Sequence, residues 1–162
     1  MLSSGKTEKS VWVVGVGNPL ARDEGVGPVA VERLKAEPLP ERVALLDAGT
    51  DFLAAMTEFA DAGHVILIDA MRAGGVPGTI YRLTLEELEG RAKAGASDLS
   101  AHGLGVVEAV GLARATGMRV PPMVVFGVEP GEVAFGEGLS PAVEAAMQKL
   151  VADVREEIVR AS

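Results

Sequence analysis

Three acidic residues and one imidazole carry most of the chemistry this sequence can offer. Asp23 and Glu24 stand side by side just past a Gly15-Val16-Gly17-Asn18 turn, Asp69 closes the apolar run 64–68, and His102 precedes a long apolar stretch. Carboxylates and an imidazole from separate segments form an O/O/N donor set. Such a set suits Zn, Ni, Mn or Fe and leaves coordination positions open. Each residue also has an ordinary role. Asp23 can cap the following helix, worth on the order of 1 kcal/mol, and Glu24 can complement the helix dipole. One acid suffices as the cap, so Glu24 is less easily explained by that role than Asp23. Asp69 can cap a loop at a strand edge, and His102 can simply start a helix. Arg72 either orients a carboxylate or is solvated. The other histidine, His64, opens a strand at the far end from Asp69 and is expected to be structural.

Other chemistries are excluded by what is missing. The chain has no cysteine, which removes disulfides, thiolate metal sites and cysteine nucleophiles and fits a cytoplasmic protein. There is no H-E-x-x-H and no G-x-S-x-G, and one usable histidine among scattered serines makes no Ser–His–Asp arrangement. Gly15-x-Gly17 follows a strand and precedes a helix, as a dinucleotide fingerprint does. Its third position is Leu20, however, and the acid pair would repel a pyrophosphate. Ser4-Gly5-Lys6-Thr7 mimics the end of a P-loop without the strand and first glycine that motif needs. A net charge of −8 argues against nucleic acid, and no basic amphipathic stretch points to a membrane surface. The apolar run after residue 10 stops at Asn18-Pro19, far short of a membrane span.

The elements that must hold these residues read as alternating strands and helices. Residues 11–16, 64–68 and 122–128 are apolar without alternation, the pattern of strands covered on both faces. Residues 43–46 form a shorter strand. Helices are expected over 25–37, where Pro28 is tolerable only in the first turn, and over 51–59, 84–93, 104–116 and 141–160. Thr84 with Glu87 forms a capping box, and Ser140-Pro141 an N-cap and N1 pair. The link from the third strand to residues 79–83 is too short for a crossover, so that strand is expected antiparallel to the third. Residues 1–10 are expected to be a flexible tail, and residues 94–101 a loose loop. The whole predicts one α/β domain over 11–162: a three-layer α/β/α sandwich around a five-stranded, mostly parallel sheet. Ligands in such folds sit beyond the carboxyl ends of the strands, where Asn18, Glu24, Asp47, Thr50, Asp69 and Glu129 fall.

In order along the chain, these residues carry a resemblance. Gly15-Val16-Gly17-Asn18-Pro19-Leu20 with Asp23-Glu24-Gly25-Val26-Gly27 resembles the G-x-G-N-x-L-x-x-D-[DE]-G-x-G signature of the hydrogenase maturation proteases. Asp47-Ala48-Gly49-Thr50, Ile68-Asp69-Ala70, Ser100-Ala101-His102, Gly127-Val128-Glu129-Pro130 and Gly138-Leu139-Ser140-Pro141 follow collinearly. The resemblance implies a phosphorylase/hydrolase-like mixed sheet and an endopeptidase that trims the C-terminus of the nickel–iron hydrogenase large-subunit precursor. It implies Glu24, Asp69 and His102 as both the catalytic and the metal-contacting residues, with Asn18, Asp47, Gly49 and Thr50 binding substrate. Nickel would arrive inside the substrate, at a site that Zn or Cd can also occupy. Whether the metal or a carboxylate, Asp69 or Glu24, activates the water is left open. Ala48 stands where the family usually has glycine, which bears on substrate fit at that loop.

Two other readings compete: a non-catalytic nickel-binding assembly factor that holds the precursor uncut, and a nucleotide-binding enzyme on the same scaffold. The low aromatic content, one Trp, one Tyr and four Phe, leaves no obvious interface patch and favours a monomer.

Overall fold

In the computed structural model, residues 9–95 and 101–161 are described, with residues 101–104 described by their backbone alone. The expected tail and the loop 94–101 therefore fall largely outside the described residues. Five strands form one sheet in the order β2-β1-β3-β5-β4. They are β1 (Val11–Val16), β2 (Val43–Gly49), β3 (His64–Ala70), β4 (Ile80–Thr84) and β5 (Met123–Val128). The first three and β5 run parallel, and β4 is antiparallel to β5. The expected direction of β4 is therefore correct but its neighbour is not. The short link after β3 steps over β5's position to the sheet edge, and β5 later fills the gap.

The apolar runs lack alternation because both sheet faces are covered. Val11, Val13, Ile66 and Ile68 pack with α1 (Val26–Leu34) and α5 (Pro141–Arg160). Val14, Val16, Val65 and Leu67 pack on the other face with α2 (Phe52–Phe59), α3 (Leu85–Lys93) and α4 (Ala101–Ala115). Among the described residues no helix is long and apolar enough to cross a membrane.

Local signals explain most boundaries. Thr84 caps α3, its Oγ1 accepting from the Glu87 N–H at 3.2 Å, and Asp51 caps α2 by accepting from Ala54 N–H at 3.1 Å. Strands β2 and β3 run on past their apolar runs to Gly49 and Ala70. Asp69 therefore lies in the strand, paired with Gly127, rather than beyond it. A 3-10 turn, Arg22–Gly25, precedes α1, so Pro28 falls in the helix's first turn, where its missing N–H costs nothing.

At the amino end of β3, His64 is structural as expected. Its Nε2 lies 3.9 Å from Glu157 Oε1, and burial lowers its pKa. Glu157 is buried on α5 and receives two bonds from the Arg82 guanidinium, both 2.9 Å. Those bonds hold its carboxyl below the ordinary 4.5. Because the folded-state pKa is depressed, the stabilisation is full above the unfolded value and fades as pH falls through the folded one. Glu157→Gln should therefore cost roughly 1–2 kcal/mol at neutral pH. It should cost far less at acid pH, as urea unfolding of both chains at the two pH values will show.

Candidate functional site

The site begins with contact between two backbones. A Cβ on Gly15 would lie 2.4 Å from the carbonyl oxygen of Gly27, and one on Gly27 would lie 2.4 Å from the carbonyl oxygens of both Val16 and Ile68. A Cβ on Gly17, which sits at φ +143°, would lie 1.9 Å from the Glu24 carbonyl oxygen. Side chains cannot enter such gaps, so the glycines let the start of α1 rest directly on the ends of β1 and β3. This contact uses both glycines of the dinucleotide-like turn. It also brings Glu24, in the 3-10 turn, and Asp69, near the end of β3, to the same edge of the sheet.

The acid pair divides its roles differently from expectation. Asp23 does not cap α1: the N-cap position is Gly25, and no side chain bonds there. Its carboxylate is fully buried and accepts four bonds from the loop after β5. The donors are the N–H groups of Gly131 (2.8 Å), Glu132 (2.7 Å) and Ser140 (2.7 Å) and the Ser140 hydroxyl (2.7 Å). Burial alone would raise the Asp23 pKa, but these bonds outweigh it and hold the carboxyl below its ordinary value. Ser140 begins α5 yet makes no side-chain cap, because its hydroxyl serves Asp23. Glu24, one residue on, is half-buried, and no side-chain bond to it occurs among the described residues.

Asp69 is buried, with Oδ1 accepting the N–H of Ala70 at 2.8 Å. His102 lies in the first turn of α4 by its backbone, and its side chain is outside the described residues. Among the described residues no three His, Cys, Asp or Glu side chains cluster as a metal site. The described part of the expected trio is thus its two carboxylates, whose hard oxygens fit a divalent transition ion needing one more donor.

The expected substrate contacts line the neighbouring turns. Asn18 Oδ1 accepts the N–H of Leu20 at 2.9 Å, and Asp47 Oδ1 that of Gly49 at 2.9 Å. Gly49, at φ +57°, passes its carbonyl to the Gly17 N–H at 2.9 Å. Asn18, Asp47 and Gly49 therefore close turns, while Thr50 is exposed on the rim of a cavity of about 310 Å³. Val16, Phe52, Leu53, Ala109 and Leu112 supply its apolar wall, with Glu108 beside them. Ala48 packs with the core on the α2–α4 side of the sheet. Glu129 is also structural. Its carboxylate accepts the N–H groups of Ala73 (2.8 Å) and Gly74 (3.2 Å) and the Tyr81 hydroxyl (3.3 Å), closing the loop after β3. Burial and the Glu129 charge push the Tyr81 hydroxyl's pKa up. Arg72 is exposed.

Comparison with known proteins places this geometry. The sequence model of the family described as hydrogenase maturation protease matches residues 28–157. The chain belongs to that family. It is 33% identical to the hydrogenase 2 maturation protease of Escherichia coli K12 over 157 residues, 93% of this chain and 94% of that one. It is 33% identical to the hydrogenase expression/formation protein HupD of Rhodobacter capsulatus over 150 residues, 91% of this chain and 70% of that one. The solved hydrogenase maturating endopeptidase HybD from Escherichia coli superposes with a TM-score of 0.82 at 30% identity, covering 94% and 93% of the two chains. HybD from Thermococcus kodakarensis gives 0.77 at 25% identity, covering 91% and 98%. This member of the family is accordingly a peptidase.

Three substitutions separate the structural parts from the open one. Gly27→Ala should cost about 3 kcal/mol or more, since backbone and not a flexible side chain occupies the space. Asp23→Ala removes the acceptor of three N–H groups and of the buried Ser140 hydroxyl and should cost about as much. Glu24→Ala should stay within about 0.5 kcal/mol of the parent. Denaturant midpoints of the three variants will show whether adjacent acids differ this much.

Proposed function

We propose that this peptidase removes the C-terminal extension from the nickel-loaded precursor of a nickel–iron hydrogenase large subunit. The observation that carries the reading is the contrast within the acid pair. The Asp23 carboxylate accepts four bonds, while that of Glu24, held on the same turn, accepts none among the described residues. A carboxylate kept half-buried and unused at the same end of the sheet as a second one, Asp69, is available to something that arrives. In a hydrogenase maturation protease, that is the nickel of the precursor.

In this reading Glu24, Asp69 and the His102 imidazole recognise nickel as part of the substrate, so a precursor without metal fails to seat. Asn18, Asp47, Gly49 and Thr50 line the approach of the extended C-terminal segment, and the cavity beyond Thr50 receives one of its side chains. Peptide hydrolysis adds one water to the scissile carbonyl carbon and delivers a proton to the departing amine. Glu24 and Asp69 are the bases within this edge that can take that proton and return it. We place enzyme and precursor in the cytoplasm, which the cysteine-free composition fits, with the enzyme acting as a monomer.

Mass spectrometry of the precursor tests the proposal. Nickel-loaded precursor should lose its C-terminal extension, metal-free precursor should not, and Glu24→Ala, Asp69→Asn or His102→Ala should slow cleavage about a hundredfold or more. Undiminished cleavage by both Glu24→Ala and His102→Ala sinks the site. A stable complex whose precursor keeps its full mass favours the non-catalytic assembly factor instead.

A further inference from the structure

The loop between β5 and α5 carries Phe135, 93% exposed, with Val133 beside it at 37%. The other described phenylalanines, Phe52, Phe59 and Phe126, are buried. Leu20, 47% exposed, stands on a neighbouring stretch of backbone, because its carbonyl accepts the Gly136 N–H at 2.8 Å and Ala21 bridges to Gly136. Two chain segments 115 positions apart thus present their apolar side chains together.

Slack in the loop does not explain this exposure. Its base is clamped by Asp23 through Gly131, Glu132 and Ser140. The Asp23 N–H returns a bond to the Glu132 carbonyl at 3.1 Å. Arg22 adds three more: its N–H to the Gly136 carbonyl at 3.2 Å, and its guanidinium to the Glu137 carbonyl at 2.9 Å and the Glu132 carboxylate at 3.3 Å. To make them Arg22 adopts φ +54°, a left-handed conformation that side-chain-bearing residues seldom take. A rigid aromatic side chain held in water, with apolar neighbours inside a polar rim, has the composition of an interface anchor. The charge left over in the rim is acidic: Glu132 is paired with Arg22, while exposed Glu137 makes no ion pair among the described residues.

We propose that this tip docks the folded body of the large-subunit precursor, the Phe135 ring entering an apolar recess bordered by Lys or Arg. The inference rests on the function proposed above, which supplies the partner. The tip is bonded to the turn that bears Glu24, so docking at Phe135 sets where the precursor's C-terminal segment meets the site. Tip and site then form one continuous surface.

Single-turnover cleavage of nickel-loaded precursor at increasing enzyme concentration tests this, with thermal melting alongside. Phe135→Ser should raise the half-saturating concentration about tenfold or more, with the parent's melting temperature, since nearly the whole ring lies in water. Phe135→Tyr should recover most of the loss. Glu137→Lys should also weaken half-saturation, and more so at low salt. Val76→Ser, which removes an exposed valine in the loop after β3, should match the parent. Parental half-saturation in Phe135→Ser, or an equal loss in Val76→Ser, overturns the docking role and leaves the proposed function standing. A precursor neither bound nor cut by the unaltered chain overturns both.

Discussion

Where β1 and β3 end, a helix start lies against their backbones with no side chain between, and the position of the site depends on that contact. Helices normally pack on sheets through an intervening, close-packed layer of side chains. Glycines at 15, 17 and 27 remove the layer locally. The consequence is a short, stiff carboxylate set against a strand end, where a longer reach would have needed a flexible arm. The same contact explains why the turn looks like a nucleotide motif: both need glycines where backbones approach closely, and here the close approach is between the helix start and the strand ends.

The adjacent acids show how one sequence feature carries two functions. Asp23 faces inward and gathers a loop from the far end of the chain, and its four donors make it one of the best satisfied buried charges a fold can hold. Glu24 faces the sheet edge and is left open. In the proposed function, stability and chemistry thus fall to neighbouring positions.

Much of this was legible before any coordinates. Apolar runs without alternation gave β1, β3 and β5 and the covered sheet, and Thr84–Glu87 gave the start of α3. The carboxyl-end rule gathered Glu24 and Asp69 at one edge. What was not legible depends on contacts distant in sequence. Asp23 reads as a helix cap because its position is right for one, and nothing local ties it to Ser140, 117 positions on. Ser140 does occupy the N-cap position of α5, as its pairing with Pro141 predicts, but its hydroxyl bonds Asp23 and not the helix. Strand β4's direction followed from a short link, but its partner depended on where β5 would insert. The bonds from Leu20 N–H to Asn18 and from Gly49 N–H to Asp47, which fix these side chains beyond the strand ends, were not legible either.

The bonds joining the turn at 20–23 to the loop at 131–140 also bear on how the molecule comes into being. They span most of the chain, so their loop-closure entropy is among the largest in the fold, and contacts of that kind form late. Until residues 131–140 join the fold, the turn that bears Glu24 lacks the four bonds that Asp23 accepts from them. A chain cut before Gly131 keeps the acid pair and loses what fixes it in place.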